Sequence, residues 1–141
     1  MNPGESCTEV RVRYAETDQM GFAHHANYLL WCEVGRTHHM REQGVSYREL
    51  EEQGVRLPVV SARLRYRASA KYDDVIRIRS WVRDSRSRRV EFGNAIERAN
   101  DGVLLATAEI VLMALDSSNA PATLPPSVRE RLVAIPDPVR L

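Results

Sequence analysis

The chain has 141 residues, 43% hydrophobic and 28% charged, a length and composition that suit one globular domain with its own apolar core and no need of disulfide or metal staples. Its 20 basic and 19 acidic side chains leave a net charge of +1, so global electrostatics nominate neither nucleic acid nor a membrane surface. No apolar run approaches the ~18 residues of a membrane span, and MNPGESC lacks the basic-then-apolar order of a secretion signal; a cytoplasmic location is expected, with Cys7 and Cys32 reduced.

Residues 9–15, EVRVRYA, place Val10, Val12 and Tyr14 on one face and Arg11 and Arg13 on the other, the period-two pattern of a half-buried strand. A loop containing Thr, Asp and Gly follows. Asn27 to Gln43 then runs without proline and with Gly35 alone, which predicts a helix of about four turns. Its first half, Tyr28 to Val34, is apolar almost all round, so burial on most sides is expected. Ser46 and Glu49 make an S-x-x-E capping box for a short second helix that Gly54 ends.

The remainder predicts strands. Leu64, Tyr66 and Ala68 alternate with Arg63, Arg65 and Arg67, and Ile76, Ile78 and Val82 oppose Arg77, Arg79 and Arg83; each run offers one buried and one wet face. Val90, Phe92 and Ile96 continue the alternation, Asn100-Asp101-Gly102 marks a hairpin turn, and Val103 to Leu115 is nearly continuous in apolar residues, as for a central strand. SSNAPATLPPS at 117–127 is a Pro-rich connector before a last short helix near Val128 to Val133. The expected fold is α+β, one long helix serving one curved antiparallel sheet of about five strands. A single domain is expected over residues 1–141, its core at about 9–115 and its connector and C-terminal helix at 117–141. One helix leaves the sheet's other face and its edges open, so pairing with a second copy is expected.

Chemical potential concentrates in Tyr14 to Tyr28, YAETDQMGFAHHANY, with two carboxylates, two histidines and two tyrosines in fifteen residues. A glycine-containing loop entering a helix leaves backbone N–H groups free at the helix start, where they can hold a developing oxyanion. Asp18 stands beside that donor set. Spacing alone leaves a second reading open, in which Thr17 and Asp18 form an ordinary turn and His24 and His25 merely open the helix.

This string, followed by Trp31 and Glu33, resembles the opening motif of the 4-hydroxybenzoyl-CoA thioesterase-like group of hotdog-fold proteins, which includes the tol-pal-associated acyl-CoA thioesterases. Similarity continues through Gly44, Val45, Tyr47, Leu50, Gly54 and the stretch RLRYRASAKYDDVIRIRSWV, so that it spans roughly residues 9 to 115. The resemblance implies a hotdog fold, with the sheet wrapped around the long helix, protomers paired through the sheet as a homodimer or homotetramer, and an acyl thioester entering near the helix start. It implies an acyl-CoA thioesterase without cofactor or metal, with Asp18 as the catalytic carboxylate and Gly21, His24 and His25 at the loop–helix junction where the carbonyl would sit. Glu33, midway along the helix, is then structural. Where the group commonly has Tyr-His this chain has His24-His25, and where it commonly has Pro it has Ser69.

In such a site Asp18 would either take a proton from water as general base or attack the carbonyl to give a mixed anhydride that water opens. Backbone N–H groups around His24 and His25 would receive the oxyanion. The His25 side chain could hydrogen-bond the thioester region or Asp18, or cap the helix. Tyr14 and Tyr28 are candidate substrate contacts, although Tyr28, Trp31 and Trp81, large enough to shorten a pocket, also suit the core.

Residues 63–89 hold ten basic side chains against Asp73, Asp74 and Asp84, a local balance of +7. Solvated strand faces account for most of them. Lys71, Arg88 and Arg89 lie in loops or at strand starts that could meet the phosphates of CoA, and the stretch lacks the interleaved aromatics that stack nucleic-acid bases. His24, His25, His38 and His39 lack metal-ligand spacing, and neighbours on a helix point about 100° apart; His38 and His39 are expected at the polar end of the helix. Two other readings stay open: an acyl-carrier-protein thioesterase, which would share the phosphopantetheine arm, and a non-catalytic acyl-CoA-binding module.

Overall fold

In a computed structural model, which describes residues 3–141, the apolar alternation becomes one antiparallel sheet with a helix against it. The strands β1 (Ser6–Arg11), β2 (Val59–Tyr66), β3 (Val75–Ser85), β4 (Arg89–Arg98) and β5 (Leu104–Met113) lie in the order β1-β3-β4-β5-β2. Helices α1 (Ala26–Glu42), α2 (Tyr47–Glu52) and α3 (Pro126–Arg129) accompany it, with a 3-10 turn at Tyr14–Glu16. The expected α+β architecture, one long helix on a five-stranded sheet, is what forms.

Alternate residues explain the packing. Ile76, Ile78 and Val82 of β3, Val90, Phe92 and Ile96 of β4, and Ala106, Ala108, Ile110 and Leu112 of β5 are buried in one cluster with Trp31, Cys32 and Met40 of α1. Gly35 lets the helix approach: a Cβ there would run into Ser80 Oγ and Ile78. As the capping pattern predicts, Ser46 Oγ accepts the Glu49 N–H at 3.4 Å, and Gly102 turns the β4–β5 hairpin with its N–H donated to the Arg98 carbonyl at 2.8 Å.

Several expectations are corrected. The first strand covers Ser6–Arg11 instead of residues 9–15; Val12 is buried, but the chain then bends into the 3-10 turn and leaves Tyr14 77% exposed. The first half of α1 is not buried on most sides, since Leu29, Leu30 and Val34 are 43%, 55% and 41% exposed while Trp31 and Cys32 face the sheet. His39 is not part of a polar helix end: it is buried, with Nδ1 2.6 Å from Ser6 Oγ and its ring edge-on to Phe92. Only His38 takes the polar role, 3.0 Å from Glu42.

Three more corrections concern two strands and the last helix. β2 is an edge strand whose Leu64 is half-buried and whose Tyr66 is 50% exposed, so it has no fully buried face of its own, and Ala68 lies beyond its end. β4 is the central strand, and the apolar β5 lies between it and β2. The final helix begins at Pro126, where proline at the first turn is at no disadvantage, and ends by Arg129.

Nor is the sheet's outer face bare. Arg83 pairs with Glu91 at 3.2 Å, Glu109 at 2.6 Å and Asp137 at 2.9 Å, and Arg79 pairs with Glu5 and Glu97, so these two arginines are neutralised within the chain instead of solvated. Trp81 lies over Gly93 and donates Nε1–H to Asp137 Oδ1 at 2.9 Å. The segment at Ala134 and Ile135 extends the sheet beyond β1, the Ile135 N–H reaching the Val82 carbonyl at 2.9 Å. Among the described residues β2 keeps an unpaired edge eight residues long.

Candidate active site

The loop from Thr17 to His25 is tied down on both flanks. The His24 N–H is donated to the Glu16 carbonyl at 2.7 Å, Ala23 N–H reaches the Ala70 carbonyl at 2.8 Å, and Phe22 bridges to Lys71. Between these ties Asp18 closes a tight turn. Its Oδ1 accepts the N–H groups of Met20 at 2.9 Å and Phe22 at 3.3 Å, and its carbonyl accepts Gly21 N–H at 3.0 Å. Gly21 holds φ +84° at the tip, a conformation that a side chain disfavours.

The consequence is an asymmetric carboxylate: Oδ1 is consumed by the turn, and Oδ2 has no partner among the described residues. Asp18 lines a cavity of about 200 Å³ with Phe22, His25, Tyr28, Tyr66 and Ser69 among its walls. His25 stands at the start of α1, and its N–H is unused among the described residues, as expected of the first donors of a helix. Tyr28 Oη accepts the Ala70 N–H at 3.0 Å, and its ring lies 4.8 Å from Trp31 and 5.3 Å from Tyr66. Burial pushes the Tyr28 phenol up from its ordinary value, so it is a neutral wall.

The structure therefore brings Asp18, Gly21, His25 and Tyr28 together at this end of the molecule, and separates others. The His24 N–H is spent on Glu16, which removes it from the expected oxyanion donors; its Nδ1 accepts the Ala26 N–H at 3.2 Å, so the side chain serves the helix start. Tyr14 is exposed, edge-on to Tyr72 at 5.7 Å and outside the cavity lining. Lys71 is exposed beside Phe22.

Arg88 and Arg89 lie at the opposite end of the sheet. On β5, Ala106 pairs with Tyr66 while Met113 pairs with Arg89, a separation of roughly 24 Å at the rise of a strand. Glu33 faces solvent on α1, outside the cavity.

Tyr66 and Ser69 are cavity residues that motif reading missed. The one signal for Tyr66 was its inward place in the β2 alternation. A larger depression of about 430 Å³ lies on the outer face at Glu5, Cys7, Arg77, Arg79 and Glu97, but Arg79 is held there by Glu5 and Glu97, and no helix start opens into it. Among the described residues no group of three or more His, Cys, Asp or Glu is placed to hold a metal ion, and no helix is long and apolar enough to cross a membrane.

A five-stranded antiparallel sheet with one long helix against it is the hotdog architecture that the loop motif implied. The sequence comparison agrees: the family described as the thioesterase-like superfamily matches residues 12–132, and the chain belongs to it. Bacillus subtilis YneP is 41% identical over 85 residues, which are 60% of this chain and 62% of YneP, so that match spans less than two thirds of the relative. The acyl-CoA thioester hydrolase YbgC of Escherichia coli is 31% identical over 84% of this chain and 89% of its own length. Among solved structures, the DHNA-CoA thioesterase of Staphylococcus aureus superposes with a TM-score of 0.82 at 32% identity, covering 85% of this chain and 80% of that one. The resemblance read from the loop motif is borne out in family and fold.

Proposed function

We propose that this chain hydrolyses acyl-CoA thioesters in the Asp18 cavity, releasing a carboxylic acid and CoA. The observation that carries the reading is that Asp18 and His25 line one cavity, and that Asp18 Oδ2 and the His25 N–H are used by no other part of the described chain. A thioester carbonyl accepting the His25 N–H would gain about 3 kcal/mol of oxyanion stabilisation as its oxygen becomes charged. In the base route, Asp18 Oδ2 takes a proton from water while the water oxygen bonds to the carbonyl carbon. The tetrahedral intermediate then breaks its C–S bond, and the proton passes to the leaving thiolate. In the nucleophilic route Oδ2 bonds to the carbon, the thiolate leaves, and water opens the anhydride to regenerate Asp18. The mechanism needs no cofactor.

The phosphates of CoA call for cations outside the cavity. Lys71 stands near it in the same chain. Arg88 and Arg89 would serve through a second copy: two β2 edges joined antiparallel about a two-fold axis set the Val59 end of one strand beside the Tyr66 end of the other, and the Arg89 end of the sheet travels with it. The exposed Leu29, Leu30, Val59 and Val60 favour such a homodimer. Two free cysteines, of which Cys32 is pushed up to about 12 by burial, suit a reducing cytoplasm.

The test is release of free thiol from a panel of acyl-CoAs. Turnover of several members supports the reading. Activity confined to acyl-carrier-protein substrates would move it to that class, and tight binding without turnover of either would leave a binding module.

A further inference from the structure

Resting on the thioesterase reading, we infer that Tyr66 is the wall that sets acyl length, its ring closing the Asp18 cavity on the β2 side so that the site takes a compact acyl group. The alternation of β2 sets Tyr66 on the side of its buried partner Ala106, towards α1, while Arg65 takes the other face. Its ring is held from two sides, edge-on to Tyr28 at 5.3 Å and to His25 at 6.4 Å. The hydroxyl then pins it, Oη donating to the His25 carbonyl at 3.1 Å. The same residue that offers the free N–H thus anchors the wall.

Size argues the same way. The cavity of about 200 Å³ is smaller than the ~300–1,000 Å³ of sites for drug-sized ligands. Of its two aromatic walls, Tyr28 is buried and fixed by Ala70 and Trp31, so no acyl chain extends past it without disrupting the core. Tyr66 is half-exposed on an edge strand, opposite Ala106 and with Ala68 as the next inward residue. Neither small neighbour can replace its ring, so truncation at Tyr66 lengthens the cavity towards the surface between β2 and α1 and leaves the core intact.

The test uses non-hydrolysable S-alkyl-CoA thioethers from ethyl to dodecyl, with binding measured alongside turnover of the matching acyl-CoAs. Wild type is expected to bind best at a short chain and to lose affinity beyond it. Tyr66→Ala, once its melting curve shows a folded protein, should move the optimum to longer chains, with about a fourfold gain for each methylene newly buried. Tyr66→Phe keeps the ring and should keep the optimum at the wild-type length even if the lost anchor weakens binding. An unchanged optimum in Tyr66→Ala, or a wild type that binds long chains best, would overturn the inference. Should the thioethers bind as expected while no acyl-CoA is turned over by any variant, the length wall stands and the thioesterase reading fails.

Discussion

In the proposed mechanism Asp18 would work through the difference between its two oxygens. One accepts two loop N–H groups and the other has no partner among the described residues; the turn itself was legible in TDQMG, because aspartate followed by a glycine turn is a strong local signal. The spacing could not tell His24 from His25. Both open the helix, and only the tertiary bond from His24 to Glu16 decides which N–H stays free. His39 was illegible for a similar reason, since nothing local pairs it with Ser6, thirty-three residues away. Burial lowers its pKa, with Glu42 opposing and His38 reinforcing. The unfolded chain, titrating near ~6.5, therefore holds the proton more tightly than the folded one. Stability from this group is full above that value and is lost as pH falls through the lowered folded pKa. The urea midpoint should drop as pH falls below about 6.5, and His39→Gln should flatten that slope; an unchanged slope in the variant would show that other groups set the acid response.

At the scale of elements, α1 was legible in its limits and misread in its faces. The absence of proline, and of glycine other than Gly35, together with the loop before it bound the helix closely, but an apolar surface does not say what covers it. Trp31 and Cys32 meet the chain's own sheet, whereas Leu29, Leu30 and Val34 stay about half exposed. β2 shows the same ambiguity: alternation specifies a strand with an apolar side but not its position at an edge. Gly35 is where helix and sheet come closest, against Ser80 and Ile78. Gly35→Ala should consequently cost about 1–3 kcal/mol through overpacking, despite alanine's better helix propensity. Equal or higher melting temperature for Gly35→Ala would mean that α1 and β3 are looser than the packing described.

For the whole molecule, the exposed stripe on α1 and the open β2 edge call for a second copy, and light scattering at micromolar concentration should give a multiple of 16.0 kDa; a strict monomer would remove the two-fold argument for Arg88 and Arg89. If those arginines reach the substrate across the interface, the double replacement Arg88→Ala, Arg89→Ala should raise KM roughly three- to tenfold for acyl-CoA and far less for a short acyl-pantetheine, which lacks the nucleotide phosphates. Equal effects on both would reject the contact. If the Asp18 carboxylate performs the chemistry in this fold, Asp18→Asn removes the charge it depends on while keeping the side chain's size and its acceptor for the loop N–H groups. With the melting curve unchanged, kcat on a good acyl-CoA should fall by roughly 10²–10⁴, while Glu33→Gln on the solvent side of α1 stays near wild type. Near-normal turnover by folded Asp18→Asn, or a collapse seen only in Glu33→Gln, would contradict the account.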